Sequence, residues 1–150
     1  MSGEARYRDY LPIAAGLILM ITLVVLVLSG TVRIAIVDGR SMEPLLHTGD
    51  VVILEKKPPD QIRVGDIVVY RAFTGKYIIH RVIKVFKVNN HYCFIVKGDN
   101  NPLPDPGFPS CDSIGIPSRV IIGVVLQYDN TTIKIPYIGG LSVAMRGGER

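Results

Sequence analysis

One stretch decides the fold class: Tyr77-Ile-Ile-His-Arg-Val-Ile-Lys-Val-Phe-Lys-Val88. It is rich in β-branched residues, and apolar and polar residues alternate along much of it, which is typical of a β-strand. Because successive side chains point to opposite faces of a strand, the alternation predicts one face that carries Ile78, His80, Val82, Lys84 and Phe86. We therefore expect a long strand with a histidine on a mostly apolar face.

Short runs rich in Val and Ile lie on both sides of this stretch, bounded by Gly, Pro, Asn or Asp. They are Val32–Val37, Val51–Leu54, Ile67–Tyr70, Tyr92–Val96, Val120–Gln127 and Thr131–Ile135. Prolines interrupt any helical pattern beyond residue 32, and no apolar period of 3.6 residues lasts for three turns there. We expect residues 33–150 to form a mainly β domain with an irregular loop at residues 100–117. A loop of this length in a compact domain is more often functional or mobile than without a role.

The segment Tyr10–Val32 has a different character, since its 23 consecutive residues include no charge. As a helix it would span about 34 Å, enough to cross a hydrocarbon core of about 30 Å. A removable signal peptide would have a shorter apolar region that ends at a small-residue cleavage site, and Ser29-Gly30-Thr31 matches such a site poorly. We therefore expect a short tail at residues 1–9, a transmembrane anchor at 10–32 and the β-rich domain after it.

Composition and charge exclude several classes of protein. The chain has 150 residues, 48% of them hydrophobic, which excludes intrinsic disorder. Its formal net charge of +4 is spread without a run of five like charges, so nucleic-acid binding has little support. Cys93 and Cys111 permit at most one disulfide and form no CxxC metal motif, and whether they pair depends on the compartment. Basic residues are equally frequent near both ends of the apolar segment, so they do not orient it.

A sharp turn follows the apolar segment, with the sequence Gly39-Arg40-Ser41-Met42-Glu43-Pro44. A serine in such a turn more often hydrogen-bonds its own backbone than attacks a carbonyl, so Ser41 needs a partner base. His80 is the better candidate, because imidazole accepts a proton near neutral pH. Lys84 is a rival on the same predicted face, but it lies four residues, roughly 13 Å, farther along the strand.

Two carboxylates stand near the start of the long loop, in the run Lys97-Gly98-Asp99-Asn100-Asn101-Pro102-Leu103-Pro104-Asp105. Either acid could simply cap backbone amides in a turn. A Ser-His pair also gains from a carboxylate that fixes the imidazole tautomer and stabilises imidazolium, and Asp99 or Asp105 could provide it. Spacing alone does not choose between them.

Four short motifs occur in one order along the chain: Ser-Met-Glu-Pro, Gly-Asp-x-Val, His-Arg-Val-Ile, and Lys-Gly-Asp-Asn-Asn followed by a further Asp. In this order and spacing they resemble the type I signal peptidases of the archaeal and endoplasmic-reticulum kind. The resemblance runs from the apolar segment through Val125 and continues at Ile135-Pro136-Tyr137-Ile138-Gly139. It implies a signal-peptidase-like antiparallel β domain that follows one transmembrane helix.

The same resemblance implies roles for individual residues. Ser41 would be the nucleophile and His80 the general base, since the bacterial branch of the superfamily has a lysine in the box where this chain has His80. The role of orienting the histidine passes to Asp105 first and to Asp99 second. Met42 and nearby strand residues are expected to line the substrate pockets, and no metal or other cofactor is needed.

Two features depart from the family pattern. Family members commonly have a serine two positions before the nucleophile, where its hydroxyl helps to bind the oxyanion, but Gly39 stands there in this chain. The backbone N–H of Ser41 must then supply much of that stabilisation, together with a donor that the sequence does not identify. Relatives often continue into a further hydrophobic span, whereas this sequence stops at residues 145–150 without one, so it has a single anchor or has been shortened.

The implied function is a membrane-anchored serine endopeptidase that removes N-terminal signal peptides from exported preproteins, with its catalytic domain on the extracytoplasmic or lumenal side. Preprotein signal peptides, the lipid bilayer and the protein-export machinery are the expected partners, and nucleic acid is not. A non-catalytic membrane-anchored β module, or an inactive subunit of a processing complex, would carry the same anchor and strands. A sortase-like cysteine transpeptidase is disfavoured because neither cysteine lies in a thiol-activating motif, and a self-cleaving repressor because an apolar span replaces a DNA-binding module.

Overall fold

The computed structural model describes residues 3–30, 32–129 and 131–136. The chain divides into two compact units, one ending at Val32 and the other starting at Arg33. Part of the predicted family resemblance, at Tyr137-Ile138-Gly139, lies outside the described residues, and so do residues 145–150 at the C-terminus.

The N-terminal unit consists mainly of one helix, α1 (Gly3–Leu28). It begins within the residues predicted to form a tail, because alanine, glutamate and arginine near its start are good helix formers. After its last turn Gly30 adopts a φ of 68°, the left-handed conformation that commonly follows a helix C-terminus. The segment predicted as an anchor is therefore helical only as far as Leu28, and a strand starts at Val32. In the part of the chain that the structure describes, no helix combines the length and the apolar character required to cross a bilayer.

The second unit is built on an antiparallel sheet, which confirms the prediction of a mainly β domain after one helix. Its strands are β1 (Val32–Ile36), β2 (Val51–Glu55), β3 (Ile67–Arg71), β4 (Tyr77–Val88), β5 (His91–Lys97), β6 (Ile116–Pro117), β7 (Ile121–Val125), β8 (Gln127–Tyr128), β9 (Thr131–Thr132) and β10 (Lys134–Ile135). Neighbouring strands follow the order β1-β2-β7-β3-β4-β5-β6, with β10 paired to β2, while β8 and β9 form a separate hairpin. Three 3₁₀ turns lie between strands, at Pro59–Gln61, Pro109–Cys111 and Ser118–Val120.

The centre of the sheet is covered on both faces, as β3 shows. Val68 and Tyr70 belong to one core cluster, whereas Ile67 and Val69 belong to another. The first core also contains Ile62, Val82, Phe94, Val96, Phe108, Ile116 and Val124. The second contains Val37, Met42, Leu46, Val52, Leu54 and Val125. Because apolar side chains are buried on both faces, β3 is continuously apolar instead of alternating, and it gives the neighbouring strand β4 a well-packed support.

A β-bulge interrupts the pairing of β4 with β5. The partners of Val82 and Lys84 are adjacent residues of β5, which leaves Ile83 as an extra residue. Because directly paired residues point to the same side of a sheet, Lys84 and Phe86 lie on the face opposite to His80 and Val82. The prediction that all five residues share one face is therefore wrong beyond Val82, since a bulge shifts the alternation by one residue.

The loop predicted at residues 100–117 is fastened to the sheet along its length. The main-chain N–H of Asp105 donates a hydrogen bond to the carbonyl oxygen of Val96, at 2.9 Å. Farther along, Cys111 forms a disulfide with Cys93 of β5, and their Cα atoms are 5.8 Å apart. The loop ends in β6, which pairs with β5. The sequence left open whether the two cysteines pair, and the structure shows that they do. The hydrogen bond to Val96 fixes the main chain of Asp105 beside the sheet.

Candidate active site

Ser41 lies in the turn that follows β1, and hydrogen bonds fix the main chain on both sides of it. Asn100 donates from its main chain to the Ser41 carbonyl oxygen at 2.8 Å, and from its side chain to the Arg40 carbonyl oxygen at 3.2 Å. The Gly39 N–H donates to the Thr48 hydroxyl oxygen at 3.0 Å, and that hydroxyl donates to the Gly39 carbonyl oxygen at 3.1 Å. Gly39 has a φ of 112°, a backbone conformation that would be strained for a residue with a side chain. The turn therefore favours glycine at position 39.

His80 is buried in β4, with 5% of its surface exposed. Its Nδ1 atom contacts Oδ2 of Asp105. A neutral imidazole whose Nδ1 faces a carboxylate carries its hydrogen on that nitrogen and keeps Nε2 as an acceptor. This is the tautomer that a general base for a hydroxyl group requires.

Gly98 lies where His80 and Ser41 approach each other. A Cβ atom at position 98 would lie 2.9 Å from Nε2 of His80 and 2.6 Å from the carbonyl oxygen of Ser41. Both distances are too short for a side chain, so glycine is needed at this position for space. Ser41 and His80 are both described by the structure, and no hydrogen bond joins the Ser41 hydroxyl to Nε2 of His80. Catalytic hydrogen bonds often shorten to their working length only when substrate binds.

Asp105 accepts a second hydrogen bond at the same oxygen that faces His80. The Tyr70 hydroxyl donates to Oδ2 of Asp105 at 2.6 Å. Tyr70 is only 2% exposed, and burial, followed by the hydrogen bond to Asp105, raises its pKa well above the ordinary 10.0. The phenol therefore remains a donor throughout the neutral range, and it helps to fix the carboxylate beside the imidazole.

Asp99 serves a different partner. Its two carboxylate oxygens accept hydrogen bonds from Nε and Nη2 of Arg81, at 2.8 and 2.7 Å. Arg81 also donates from Nη1 to the carbonyl oxygen of Gly65 at 2.9 Å. The hydrogen bond to Asp99 raises the pKa of Arg81, although partial burial acts in the opposite direction. The structure therefore places Asp105, and not Asp99, against His80.

Lys97 and Asn101 shape the turn Gly98–Asn101, which contains Asp99. The Lys97 ammonium donates to the carbonyl oxygens of Gly98 at 3.0 Å and Asn101 at 2.7 Å. The main-chain N–H of Asn101 closes the turn by donating to the Gly98 carbonyl oxygen at 3.0 Å. The Nδ2 atom of Asn101 would lie 2.9 Å from a Cβ at position 98, so this amide faces the point that His80 and Ser41 share.

A groove of about 330 Å³ contains both Ser41 and His80. The end of β1 and the residues after it form one wall, and the start of β4 forms another. The lining residues are Ala35, Ile36, Val37, Asp38, Ser41, Val69, Tyr77, Ile78, Ile79, His80 and Asn101. Two strand segments that face one groove present main-chain groups to which an extended peptide could bind.

Two other residues singled out by the sequence lie away from this groove. Met42, which the sequence predicts to line a substrate pocket, is 1% exposed, belongs to the second core and is not among the residues that line this groove. Burial of this large apolar side chain stabilises the fold next to the exposed turn. Lys84 lies beyond the bulge, on the face opposite to His80. Within the described ranges, no group of three or more His, Cys, Asp or Glu side chains is placed to hold a metal ion.

Three residues of the site, Tyr70, Gly98 and Asn101, were not predicted to have a role. Gly98 and Asn101 belong to the Lys-Gly-Asp-Asn-Asn motif, so the motif was the available signal for both. Tyr70 ends an apolar run that is expected to be buried. A buried tyrosine hydroxyl usually needs a hydrogen-bond partner. That partner is 35 residues away in the chain, and the sequence alone does not identify it.

Comparison with known proteins places this chain in a family. The Peptidase S24-like family matches residues 3–121. Human SEC11B is 35% identical over 123 residues, which cover 81% of this chain and 70% of that protein. The human signal peptidase complex catalytic subunit SEC11C is 35% identical over 131 residues, which cover 85% of this chain and 65% of that protein. An uncharacterized protein of Methanocaldococcus jannaschii is 28% identical over 177 residues, covering 76% of this chain and 84% of that protein.

The chain thus spans about two thirds of the length of its SEC11 relatives. The family match covers the helix, the Ser41 turn, β4 and the whole of the long loop, so it includes all the residues of the candidate site. The chain therefore belongs to the Peptidase S24-like family, and its predicted resemblance to the archaeal and endoplasmic-reticulum type I signal peptidases is confirmed.

Proposed function

We propose that this protein is a membrane-anchored serine endopeptidase that cleaves N-terminal signal peptides from preproteins. The observation that carries the proposal is the approach of the Ser41 main chain and His80 Nε2 at Gly98, with His80 Nδ1 held by Asp105. The similarity to a protein named as a signal peptidase complex catalytic subunit supports the substrate class.

In the proposed reaction the Ser41 hydroxyl attacks the carbonyl carbon of the scissile bond while His80 Nε2 accepts its proton. The ionised Asp105 stabilises the imidazolium that forms, and it keeps the ring in the required orientation. The imidazolium then protonates the leaving amine of the mature chain, which departs and leaves the signal peptide as an acyl group on Ser41. Water then attacks this acyl-enzyme with His80 as base, and the signal peptide is released as a free carboxylate.

The negative charge that develops on the carbonyl oxygen needs hydrogen-bond donors. Ser41 can supply its own main-chain N–H, but Gly39 has no hydroxyl to offer. We assign the second donor to Asn101, whose Nδ2 atom faces the point shared by His80 and Ser41 and whose side chain lines the groove. Removing one such donor from a serine peptidase typically lowers kcat by about 10²–10³.

The groove supports a substrate in extended conformation. A peptide that lies along a strand directs alternate side chains to the same side, so residues one and three positions before the cut enter neighbouring pockets. Small side chains at these two positions are the usual mark of a signal-peptide cleavage site. The apolar side chains of Ile36, Ile78 and Ile79 are available to contact them.

The proposed anchor includes the part of α1 that starts at Tyr10, after its last charged residue. Between Tyr10 and Val25, its large apolar side chains are 48–72% exposed, and none of these residues is charged. An apolar helix without a polar face suits a lipid environment. The disulfide between Cys93 and Cys111 supports placing the β domain on the extracytoplasmic or lumenal side, where disulfides persist. There the protein would act beside the export machinery on emerging preproteins.

The test is cleavage of a preprotein by the full chain in detergent, with Ser41→Ala and His80→Ala as the decisive variants. Loss of the nucleophile or base of a serine peptidase lowers turnover by about 10⁶. Ser110→Ala and His91→Ala are matched controls, because both residues are exposed and lie outside the groove. Retained cleavage in either decisive variant would refute the mechanism, and loss in a control would indicate a folding defect.

The same assay tests the second oxyanion donor through Asn101→Ala. We expect kcat to fall by about 10²–10³ with little change in KM, because the donor acts on charge that exists only in the transition state. Asn101→Asp is the informative companion, since it keeps the size of the side chain but adds a negative charge beside the oxyanion. If Asn101→Ala retains full kcat while Ser41→Ala is inactive, the donor is another group.

A further inference from the structure

A second groove, of about 480 Å³, lies on the β domain and shares no lining residue with the candidate active site. Three basic residues line part of it: Arg33, Lys56 and Lys57. Most of its other lining side chains are apolar, among them Ile62, Ile121 and Ile122, and Ser118 adds a hydroxyl. The groove therefore combines positive charge with an apolar surface.

The charges of this groove are only partly compensated. The Lys57 ammonium lies 3.0 Å from the Asp66 carboxylate and is 26% exposed. Arg33 and Lys56 are exposed, and neither forms an ion pair with another described residue. Two cations thus remain available to an anion that enters the groove.

We propose that this groove binds the headgroup of an anionic phospholipid. The phosphate would accept hydrogen bonds from the guanidinium of Arg33, the ammonium of Lys56 and the hydroxyl of Ser118. The glycerol and the first methylene groups would pack on the isoleucines of the groove. A lipid satisfies both kinds of surface, whereas a small anion would use only the charged part.

The position of Arg33 in the sequence supports a lipid source and makes this inference rest on the proposed anchor. Arg33 is the first charged residue after the uncharged segment Tyr10–Val32. Basic residues directly beside a membrane segment are attracted to the negative surface of anionic lipids. The next residue, Ile34, is 66% exposed and could rest in the interfacial region.

The test is a titration of the full-length protein in nonionic detergent with dihexanoyl phosphatidylglycerol, followed by thermophoresis. The groove variant is Arg33→Gln/Lys56→Gln, and the control is Arg71→Gln/Lys76→Gln, which also removes one arginine and one lysine but outside this groove. We expect the groove variant to bind roughly tenfold more weakly, and the control to bind within about twofold of wild type.

Dihexanoyl phosphatidylcholine and inorganic phosphate test the selectivity of the groove. Equal binding of phosphatidylcholine would mean that the charges do not select the ligand, and phosphate binding as tight as the lipid would mean a general anion site; either result overturns the proposal. Unchanged binding in the groove variant overturns it too. Because the titration does not use cleavage, Ser41→Ala must bind the lipid like wild type, and a failure of the proposed peptidase activity would leave this readout intact.

Discussion

Asp105 and Asp99 lie in one loop, six positions apart, yet they have different surroundings. The Asp105 side chain is 8% exposed and faces the neutral donor Tyr70 and the imidazole of His80. The Asp99 side chain is 24% exposed and its charge is already paired with Arg81. A buried carboxylate without a permanent cation beside it can stabilise a positive charge that forms during a reaction. A carboxylate that is already paired with arginine stabilises such a charge much less.

Within this comparison of the two acids, the largest expected effect is the contrast between Asp105→Asn and Asp99→Asn in preprotein cleavage. The asparagine at 105 cannot stabilise imidazolium and allows the wrong imidazole tautomer, so we expect kcat to fall by about 10⁴. At 99 we expect a change of less than about threefold, because that carboxylate contacts Arg81 and not His80. Equal losses in both variants would remove the distinction between the two acids.

The strands of this molecule could be predicted from the sequence because Val- and Ile-rich runs separated by Gly, Pro and Asn leave few alternatives. The bulge at Ile83 could not be predicted, because an extra residue in the strand changes the face on which Lys84 lies but leaves the composition and hydropathy of the sequence the same. Met42 shows a related limit: an apolar residue beside a functional turn can face the groove or the core, and only packing decides which.

The candidate site shows the same limit. Motifs singled out Ser41, His80 and both acids, but the choice between Asp99 and Asp105 depends on which of them the loop brings to His80. That choice is made by contacts between residues far apart in the chain, such as the hydrogen bond from Tyr70 to Asp105 across 35 positions. Spacing carries no information about such contacts.

Tyr70→Phe tests the buried side of the comparison. The variant keeps the ring in the core but removes one of the two donors to Asp105, which is worth about 1 kcal/mol for a typical hydrogen bond. We expect kcat to fall by roughly fivefold to tenfold with an unchanged KM, because the carboxylate is less firmly positioned. An unchanged kcat, together with a lowered free energy of unfolding, would assign Tyr70 a packing role alone.

The same phenol predicts a loss of stability at high pH. Its pKa is raised in the folded protein, so above about pH 10 the unfolded chain releases this proton while the folded chain retains it. The free energy of unfolding should therefore fall as the pH rises, by roughly 1.4 kcal/mol at pH 11 for this one group. Denaturant titrations of wild type and Tyr70→Phe at pH 8 and pH 11 measure it, and the expected result is a smaller decrease in the variant. A parallel decrease in both proteins would show that other groups cause the effect.

The smallest expected effect lies on the exposed side of the comparison, in the pair of Arg81 and Asp99. Both side chains keep about a quarter of their surface in water, so solvent screens their attraction in spite of the two hydrogen bonds. A double-mutant cycle with Arg81→Met and Asp99→Ala, followed by denaturant unfolding, should give a coupling of about 0.5–1 kcal/mol, with kcat little changed in the Asp99 variant. A coupling of several kcal/mol, or a loss of kcat as large as in Asp105→Asn, would mean that this pair positions the turn around Gly98. Both acids would then support catalysis, Asp105 by direct contact with His80 and Asp99 by positioning the turn.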